Sequence, residues 1–100
     1  MYLSIMKIQG NPDELMDAMR EHVAPVAARL APQFGGISST IVRTDDGIMV
    51  VNLWKDDEGR HRLPEHPDMQ AAIAKSGFTP NATGYEVLAH QVVGEAPAMT

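Results

Sequence analysis

The chain has 100 residues, 44% of them hydrophobic and 21% charged, which are ordinary proportions for one soluble globular domain. A net charge of −5 gives no electrostatic basis for binding nucleic acid or an anionic membrane surface. There is no cysteine, no basic leader and no apolar run near the roughly 20 residues of a membrane helix, so we expect a cytoplasmic protein without disulfides.

The first two predicted elements are a strand over residues 2–9 and a long helix. Asn11 is a good helix cap and Pro12 suits the first helical position. Six apolar residues then recur at spacings of three and four, which predicts one helical face packed on a core: Leu15, Met19, Val23, Val26, Leu30 and Phe34. Pro25 lies inside this pattern and lacks a backbone donor, so we expect a kink over residues 21–24.

The second half of the chain contains three predicted strands and two shorter helices. Residues 37–44 and 48–54 form a hairpin across an Asp-Asp-Gly turn. Helices are predicted over residues 57–63 and 67–75, separated by prolines. A fourth strand is predicted over residues 85–93, which completes a single domain over residues 1–93. Residues 94–100 have no periodicity and are predicted to be a flexible tail.

The third strand is the most apolar stretch of the chain. Because strand side chains alternate, one face carries Ile48, Val50, Asn52 and Trp54, and the other carries Met49, Val51 and Leu53. Such a strand lies inside a sheet that is covered on both faces.

The element order β-α-β-β-α-β predicts a ferredoxin-like α+β fold, with two helices on one face of a four-stranded antiparallel sheet. Two helices leave the other face uncovered. We therefore expect a second copy of the chain to cover it, giving a homodimer. The alternative cover is a different protein or a lipid-like ligand.

Three segments carry a resemblance to a known family: Val50-Val51-Asn52-Leu53-Trp54-Lys55, residues 56–61 (DDEGRH) and residues 65–70 (EHPDMQ). With this length and element order, the chain resembles the dimeric α/β-barrel proteins, and within them the antibiotic biosynthesis monooxygenase family. The resemblance implies a dimeric α/β barrel with a pocket between each sheet and its helices. In the family's cofactor-free oxygenases it implies an Asn, a Trp and an Arg that hold an electron-rich phenol while it meets O₂. Asn52, Trp54 and Arg60 are the substrate-binding candidates here.

The same resemblance makes haem unexpected. The haem-degrading branch of the family needs a second Trp in the short helix and an axial His in the following helix. Residues 60–63 contain no Trp, and residues 69–75 contain no His. We expect no cofactor, and no metal site either, because no third ligand stands at a convincing spacing.

Three histidines are candidates for a general base, because an unperturbed imidazole titrates near pH 6.5, roughly. His61 and His66 flank the break between the two short helices, and His90 lies in the predicted fourth strand. The alternatives are solvated loop histidines for the first two and a position at the dimer seam for His90. Asn52 is alternatively a structural amide, and Trp54 a core residue that donates its indole N–H to a carbonyl.

Three functions remain open from the sequence. The first is a cofactor-independent monooxygenase acting on a small aromatic or polyketide-like molecule. The second is a cyclase or isomerase in the same pocket, with a histidine as base and no consumption of O₂. The third is a non-enzymatic, ligand-binding or accessory dimer. In each case the expected ligand is small and aromatic or apolar.

Overall fold

The computed structural model describes residues 1–78 and 81–89, which form a four-stranded antiparallel sheet with helices on one face. The strands are β1 (Tyr2–Gln9), β2 (Gly36–Thr44), β3 (Gly47–Trp54) and β4 (Asn81–Glu86), arranged in the order β2-β3-β1-β4. The predicted ferredoxin-like arrangement is confirmed, and β3 lies inside the sheet between β2 and β1 as its composition indicates.

The helical segments cover one face of this sheet. They are α1 (Pro12–Ala18), a π-helical turn (Met19–Val23), α2 (Ala24–Leu30), a 3₁₀ turn (Ala31–Phe34), α3 (Asp57–Arg62), a second 3₁₀ turn (Leu63–Glu65) and α4 (Pro67–Ser76). The predicted cap of α1 is confirmed, because the Asn11 side chain accepts a hydrogen bond from the Glu14 backbone N–H at 3.1 Å.

The interruption predicted near Pro25 is present as the π-helical turn. The backbone N–H of Ala24 bonds to the carbonyl of Met19, five residues earlier, just before the proline that cannot donate. This turn widens the helix locally, and Met19 and Val23 within it are buried against the sheet. A proline in the apolar stripe thus produces a local change of helical geometry over the core.

Helix α3 approaches the rest of the domain at a glycine. The Asp56 side chain caps the helix by accepting a hydrogen bond from the Gly59 backbone N–H at 3.1 Å. A Cβ atom at Gly59 would overlap the carbonyl oxygen of Phe34 and come within 3.4 Å of the Trp54 ring. The absence of a side chain therefore lets α3 pack closely and carries the next residue, Arg60, over the end of the sheet.

The face of the sheet away from the helices is apolar and only half-buried within one chain. Its central residues do not pack against the core, and they are Leu3, Ile5, Met49, Val51 and Leu53. At its margins Val42 is 37% exposed and Tyr85 is 52% exposed. We call this surface the helix-free face. Within a single chain, β3 is thus buried at Ile48, Val50 and Trp54 on the helix-bearing face and only half-buried on the helix-free face.

The fourth strand was predicted at the wrong position. It begins at Asn81 and ends at Glu86, whereas the sequence pattern indicated residues 85–93. Residues Asn81 to Gly84 are typical of turns, but β1 offers them a full edge of backbone partners from Lys7 to Ser4. Pairing therefore outweighs local preference. Residues 90–93 and the predicted tail lie outside the described residues, so the domain boundary stays a prediction.

No helix in the described part of the chain combines the length and the apolar composition needed to cross a membrane.

An ion pair joins α2 to α4. Nη2 of Arg29 donates a hydrogen bond to Oδ2 of Asp68 at 2.9 Å, and this bond holds the pKa of the Asp68 carboxyl below its ordinary value. Because the folded-state pKa is depressed, the pair stabilises the fold above the unfolded pKa of about 4 and loses that contribution as the pH falls through the folded value.

We predict that Arg29→Gln raises the pKa of Asp68 back toward its ordinary value, as measured by NMR titration of the carboxyl carbon. The stability difference between the variant and the wild type should shrink as the pH falls below about 4 and through the depressed pKa of wild-type Asp68, because the carboxyl group then becomes protonated in both proteins. Arg20→Gln, which alters another exposed helical arginine, is the control and should leave Asp68 unchanged. An unchanged Asp68 titration in Arg29→Gln would contradict the assigned cause.

Candidate functional site

A cavity of about 460 Å³ lies between the helix-bearing face of the sheet and the helices. This volume is in the range of small-molecule sites in proteins, which are typically about 300–1,000 Å³. Ser38 and Ser39 of β2 line the cavity and are exposed, so it opens to solvent along that strand. The architecture supplies the pocket between sheet and helices that the family resemblance implies.

The floor of the cavity contains a row of small and polar residues that crosses all four strands. They are neighbours through strand pairing, in the order Ser39, Asn52, Ser4 and Gly84. The next row on the same face is apolar, and it consists of Ile41, Val50, Met6 and Ala82. Because strand side chains alternate, both rows face the helices. A polar strip therefore lies beside an apolar one on the cavity floor.

The roof of the cavity is apolar. Four alanines of α2 and its 3₁₀ extension line it, and they are Ala24, Ala27, Ala28 and Ala31. Larger residues close the sides, namely Met19, Val23, Leu63, Met69, Ile73 and Phe78. The small alanine side chains leave the space open, whereas the methionines can adapt their shape to a ligand.

Asn52 carries the largest polar side chain of the floor row, and this side chain has no hydrogen-bond partner among the described residues. Its residue is half-buried, and no hydrogen bond to its amide is found among the residues that the structure describes. A primary amide offers two donors and a carbonyl acceptor. The structural alternative for Asn52 required a bond to a neighbouring group, so the observed geometry favours a ligand-facing amide.

Trp54 is both a core residue and a wall of the cavity. It is 4% exposed, and its indole Nε1 donates a hydrogen bond to the Ser4 hydroxyl oxygen at 3.0 Å. The acceptor is this hydroxyl group, not the carbonyl expected from the sequence. Trp54 is therefore a core residue that also lines the cavity, and its role in substrate binding stays a prediction.

Arg60 supplies the one charged group among the described residues that line the cavity. Its side chain is 20% exposed, and its Nε donates a hydrogen bond to Oδ1 of Asp57, one turn earlier in α3. The guanidinium group lies against the backbone of Gly84, where an added Cβ would come within 2.5 Å of Nε and Nη2. Asn52, Trp54 and Arg60 thus line the same cavity, and their role in substrate binding stays a prediction.

The structure does not bring His61 or His66 to the cavity. His61 is exposed, with Nε2 at 3.5 Å from Oδ2 of Asp57. His66 caps α4, because its Nδ1 accepts a hydrogen bond from the Asp68 backbone N–H at 3.1 Å. Its ring also packs edge-on against Phe34 at a centroid distance of 6.2 Å. His90 lies outside the described residues, so its role as a base stays a prediction.

Sequence reasoning missed two residues of the site, Ser4 and Gly84. Ser4 is 7% exposed and interrupts the inward-facing apolar residues of β1, and this interruption was the available signal. Its position beside Asn52 follows only from the register of β1 with β3. Gly84 lies just before the fourth strand predicted over residues 85–93, so the sequence offered no sign of its contact with Arg60.

The residues of the cavity do not fit haem. Haem iron takes a proximal His, Cys or Tyr, or a Met paired with His. The described residues that line the cavity include none of the first three, and their sulfur groups are those of Met6, Met19 and Met69. The described part of the chain also has no cluster of three metal-ligating His, Cys, Asp or Glu side chains.

No known family model matches this sequence, and no curated protein is significantly similar to it. Solved structures do resemble it. A protein from Deinococcus radiodurans, provisionally named an antibiotic biosynthesis monooxygenase, superposes with a TM-score of 0.70 at 16% identity over 94% of this chain and 100% of its own. SnoaB, a cofactor-independent oxygenase from Streptomyces nogalater, gives a TM-score of 0.63 at 20% identity over 94% and 95%.

Two further similar structures differ in what they contain. An MhuD variant with two manganese protoporphyrin IX molecules per active site gives a TM-score of 0.70 at 20% identity over 94% of this chain and 100% of its own. A dimeric ferredoxin-like protein from an uncultured marine organism gives 0.66 at 14% identity over 92% and 98%. At these identities the likeness establishes the fold. It confirms the predicted resemblance in fold to proteins named antibiotic biosynthesis monooxygenases.

We predict that Ser4→Ala lowers the free energy of unfolding by about 1–3 kcal/mol, because it leaves the buried Trp54 indole N–H without its acceptor. Chemical denaturation followed by the fluorescence of Trp54, the only tryptophan, measures this change. Ser39→Ala removes an exposed hydroxyl of the same floor row and is the matched control. Equal stability of the two variants would show that the indole–hydroxyl bond is not a significant stabilising contact.

Proposed function

We propose that this protein is a cofactor-independent monooxygenase that oxidises a small aromatic or polyketide-like molecule with an acidic phenol or an activated CH₂ group. The observation that carries the proposal is the Asn52 amide, free of protein partners in the described structure, beside Trp54 and Arg60 in an otherwise apolar cavity. The fold that the chain shares with SnoaB, a cofactor-independent oxygenase, supports it.

The reaction requires a substrate that supplies its own electrons. An anthrone-type substrate loses a proton from its CH₂ group. The resulting carbanion transfers electrons to O₂ and forms a carbon–oxygen bond, and the peroxide anion so formed takes up a proton to become a hydroperoxide. Elimination of water from the hydroperoxide then leaves a carbonyl group. One O₂ is consumed, one of its oxygen atoms enters the product, and the other leaves as water.

The residues of the cavity would act mainly on the anion formed in the first step. Asn52 and Arg60 would donate hydrogen bonds to the substrate oxygen that carries the negative charge, which would favour loss of the proton. The Trp54 ring provides an apolar wall for a planar substrate. The apolar roof limits water near the reacting carbon.

The base for the first step stays open. His61 and His66 lie away from the cavity, so from these positions neither would take the proton directly. His90 remains the histidine candidate. Stabilisation of the anion by Asn52 and Arg60 lowers the demand on any base, because it lowers the pKa of the bound substrate.

Oxygen uptake with 1,8-dihydroxyanthrone tests the proposal, corrected for its spontaneous oxidation by a sample without protein. We expect one O₂ consumed per anthraquinone formed. Asn52→Ala should reduce kcat/KM about 100-fold, because it removes a hydrogen-bond donor to the developing oxyanion. Asn81→Ala, an exposed amide at the start of β4, is the control and should retain activity.

Other results would select another function. Conversion of a polyketide-like substrate without oxygen uptake would indicate a cyclase or isomerase. Binding without any conversion would indicate a ligand-binding or accessory protein. Equal activity of Asn52→Ala and wild type would remove Asn52 from the mechanism.

We further propose that the helix-free face is covered by the same face of a second copy, forming the dimeric α/β barrel. The support is its apolar surface, which includes Val51 at the centre of β3 and is only half-buried in one chain. Val51→Glu should give a monomer in light scattering coupled to size-exclusion chromatography, because the charge would be buried unpaired. Gln70→Glu adds the same charge on exposed α4 and should remain dimeric. A wild-type monomer would contradict the proposal.

A further inference from the structure

The Arg60 guanidinium has two neighbours at the polar end of the cavity. Asp57 accepts a hydrogen bond from its Nε, and the backbone of Gly84 lies directly against the group. A guanidinium group has five N–H donors, so the bond to Asp57 leaves both terminal nitrogens available to another acceptor. A long, flexible side chain is thereby held at one place at the edge of the floor.

Among the described residues, the inner surface of the cavity carries one positive charge and no negative charge. Arg60 is the one ionised group among the described lining residues, and no aspartate or glutamate among them faces a ligand. Asp57 is not one of the lining residues, and its side chain is 44% exposed. A bound anion would therefore meet a cation and amide donors, while the Asp57 carboxylate lies outside the lining, on the Nε side of the guanidinium. A neutral ligand would leave the terminal nitrogens of Arg60 without a charged acceptor.

We propose that Gly84 and Asp57 position Arg60 as an anion-binding group, so that the cavity selects a planar apolar ligand with one acidic group, a carboxylate or a phenolate. The inference rests on the proposed function in taking this cavity as the substrate site. Gly84 is a specificity-determining residue because only a residue without Cβ leaves room for the guanidinium. Asp57 is a positioning residue because it acts through Arg60.

The register of β4 with β1 places Gly84 beside the guanidinium group of Arg60. Gly84 pairs with Ser4 and continues the polar row of the floor to the outer strand. An alanine there would overlap Arg60, and the arginine side chain is easier to displace than the paired strand. Gly84→Ala should consequently move the guanidinium out of the cavity while β4 stays in place.

Calorimetric titration with 2-naphthoate and with neutral 2-naphthamide tests this inference. The two ligands have the same ring system and differ in charge. We expect wild type to bind the naphthoate at least about tenfold more tightly, the scale of a charge-assisted hydrogen bond. Arg60→Gln should bring the two affinities close to equal. Gly84→Ala should lower the naphthoate affinity about fivefold or more and change the naphthamide affinity less than about twofold.

A double variant separates positioning from a general effect on the strand. If Gly84 acts through Arg60, adding Gly84→Ala to Arg60→Gln should change neither affinity further. Equal binding of the two ligands by wild type would overturn the inference, and so would an equal loss of both in Gly84→Ala. Because binding is measured without turnover, a preference for the anion without oxygen uptake would reject the proposed function and leave this inference standing.

Discussion

The hydrogen bond from the Trp54 indole to the Ser4 hydroxyl connects the end of β3 to the middle of β1, and the site depends on it. It satisfies the polar atom of a large buried ring, so that the ring can form a wall of the cavity without an unpaired donor. It also fixes the ring beside the row that contains Asn52. The same ring lies where α3 comes close, since a Cβ atom at Gly59 would come within 3.4 Å of it. The next residue, Arg60, reaches the Gly84 end of that row. One side chain therefore links the core, the floor and the only charged group of the described lining.

Most of the fold follows from periodicity and from a few local signals in the sequence. The alternation of β3 is sufficient to predict that Asn52 and Trp54 share one face of the strand, but not that this face carries the helices. The apolar stripe with Pro25 predicts both the long helix and its interruption. The start of β4 was not predictable in this way, because its turn-forming residues extend only through pairing with β1. Ser4 and Gly84 belong to the site through strand register, and register is a property of the assembled sheet. His61 and His66 have a suitable chemical type, but the short helix and the cap of α4 direct them elsewhere.

The two faces of the sheet are packed differently. The helix-bearing face is not fully packed, because the alanines opposite it leave a cavity that larger residues would fill. The helix-free face is apolar without an internal cover, which gives the chain a reason to associate. Structures with this fold contain a porphyrin in one case and belong to a cofactor-independent oxygenase in another, so the fold itself does not select the chemistry. In this chain the selection would come from the polar row and from Arg60.

A single NMR experiment tests most directly whether that row forms the floor of a ligand site. The protein has one indole N–H, from Trp54, and three asparagine side-chain amides, from Asn11, Asn52 and Asn81. Addition of 2-naphthoate to ¹⁵N-labelled protein should shift the signals of the Trp54 indole and the Asn52 amide and leave those of Asn11 and Asn81 in place. Unchanged Trp54 and Asn52 signals, with shifts confined to the backbone amides of Ile5 and Val51, would place the ligand on the helix-free face and contradict the account.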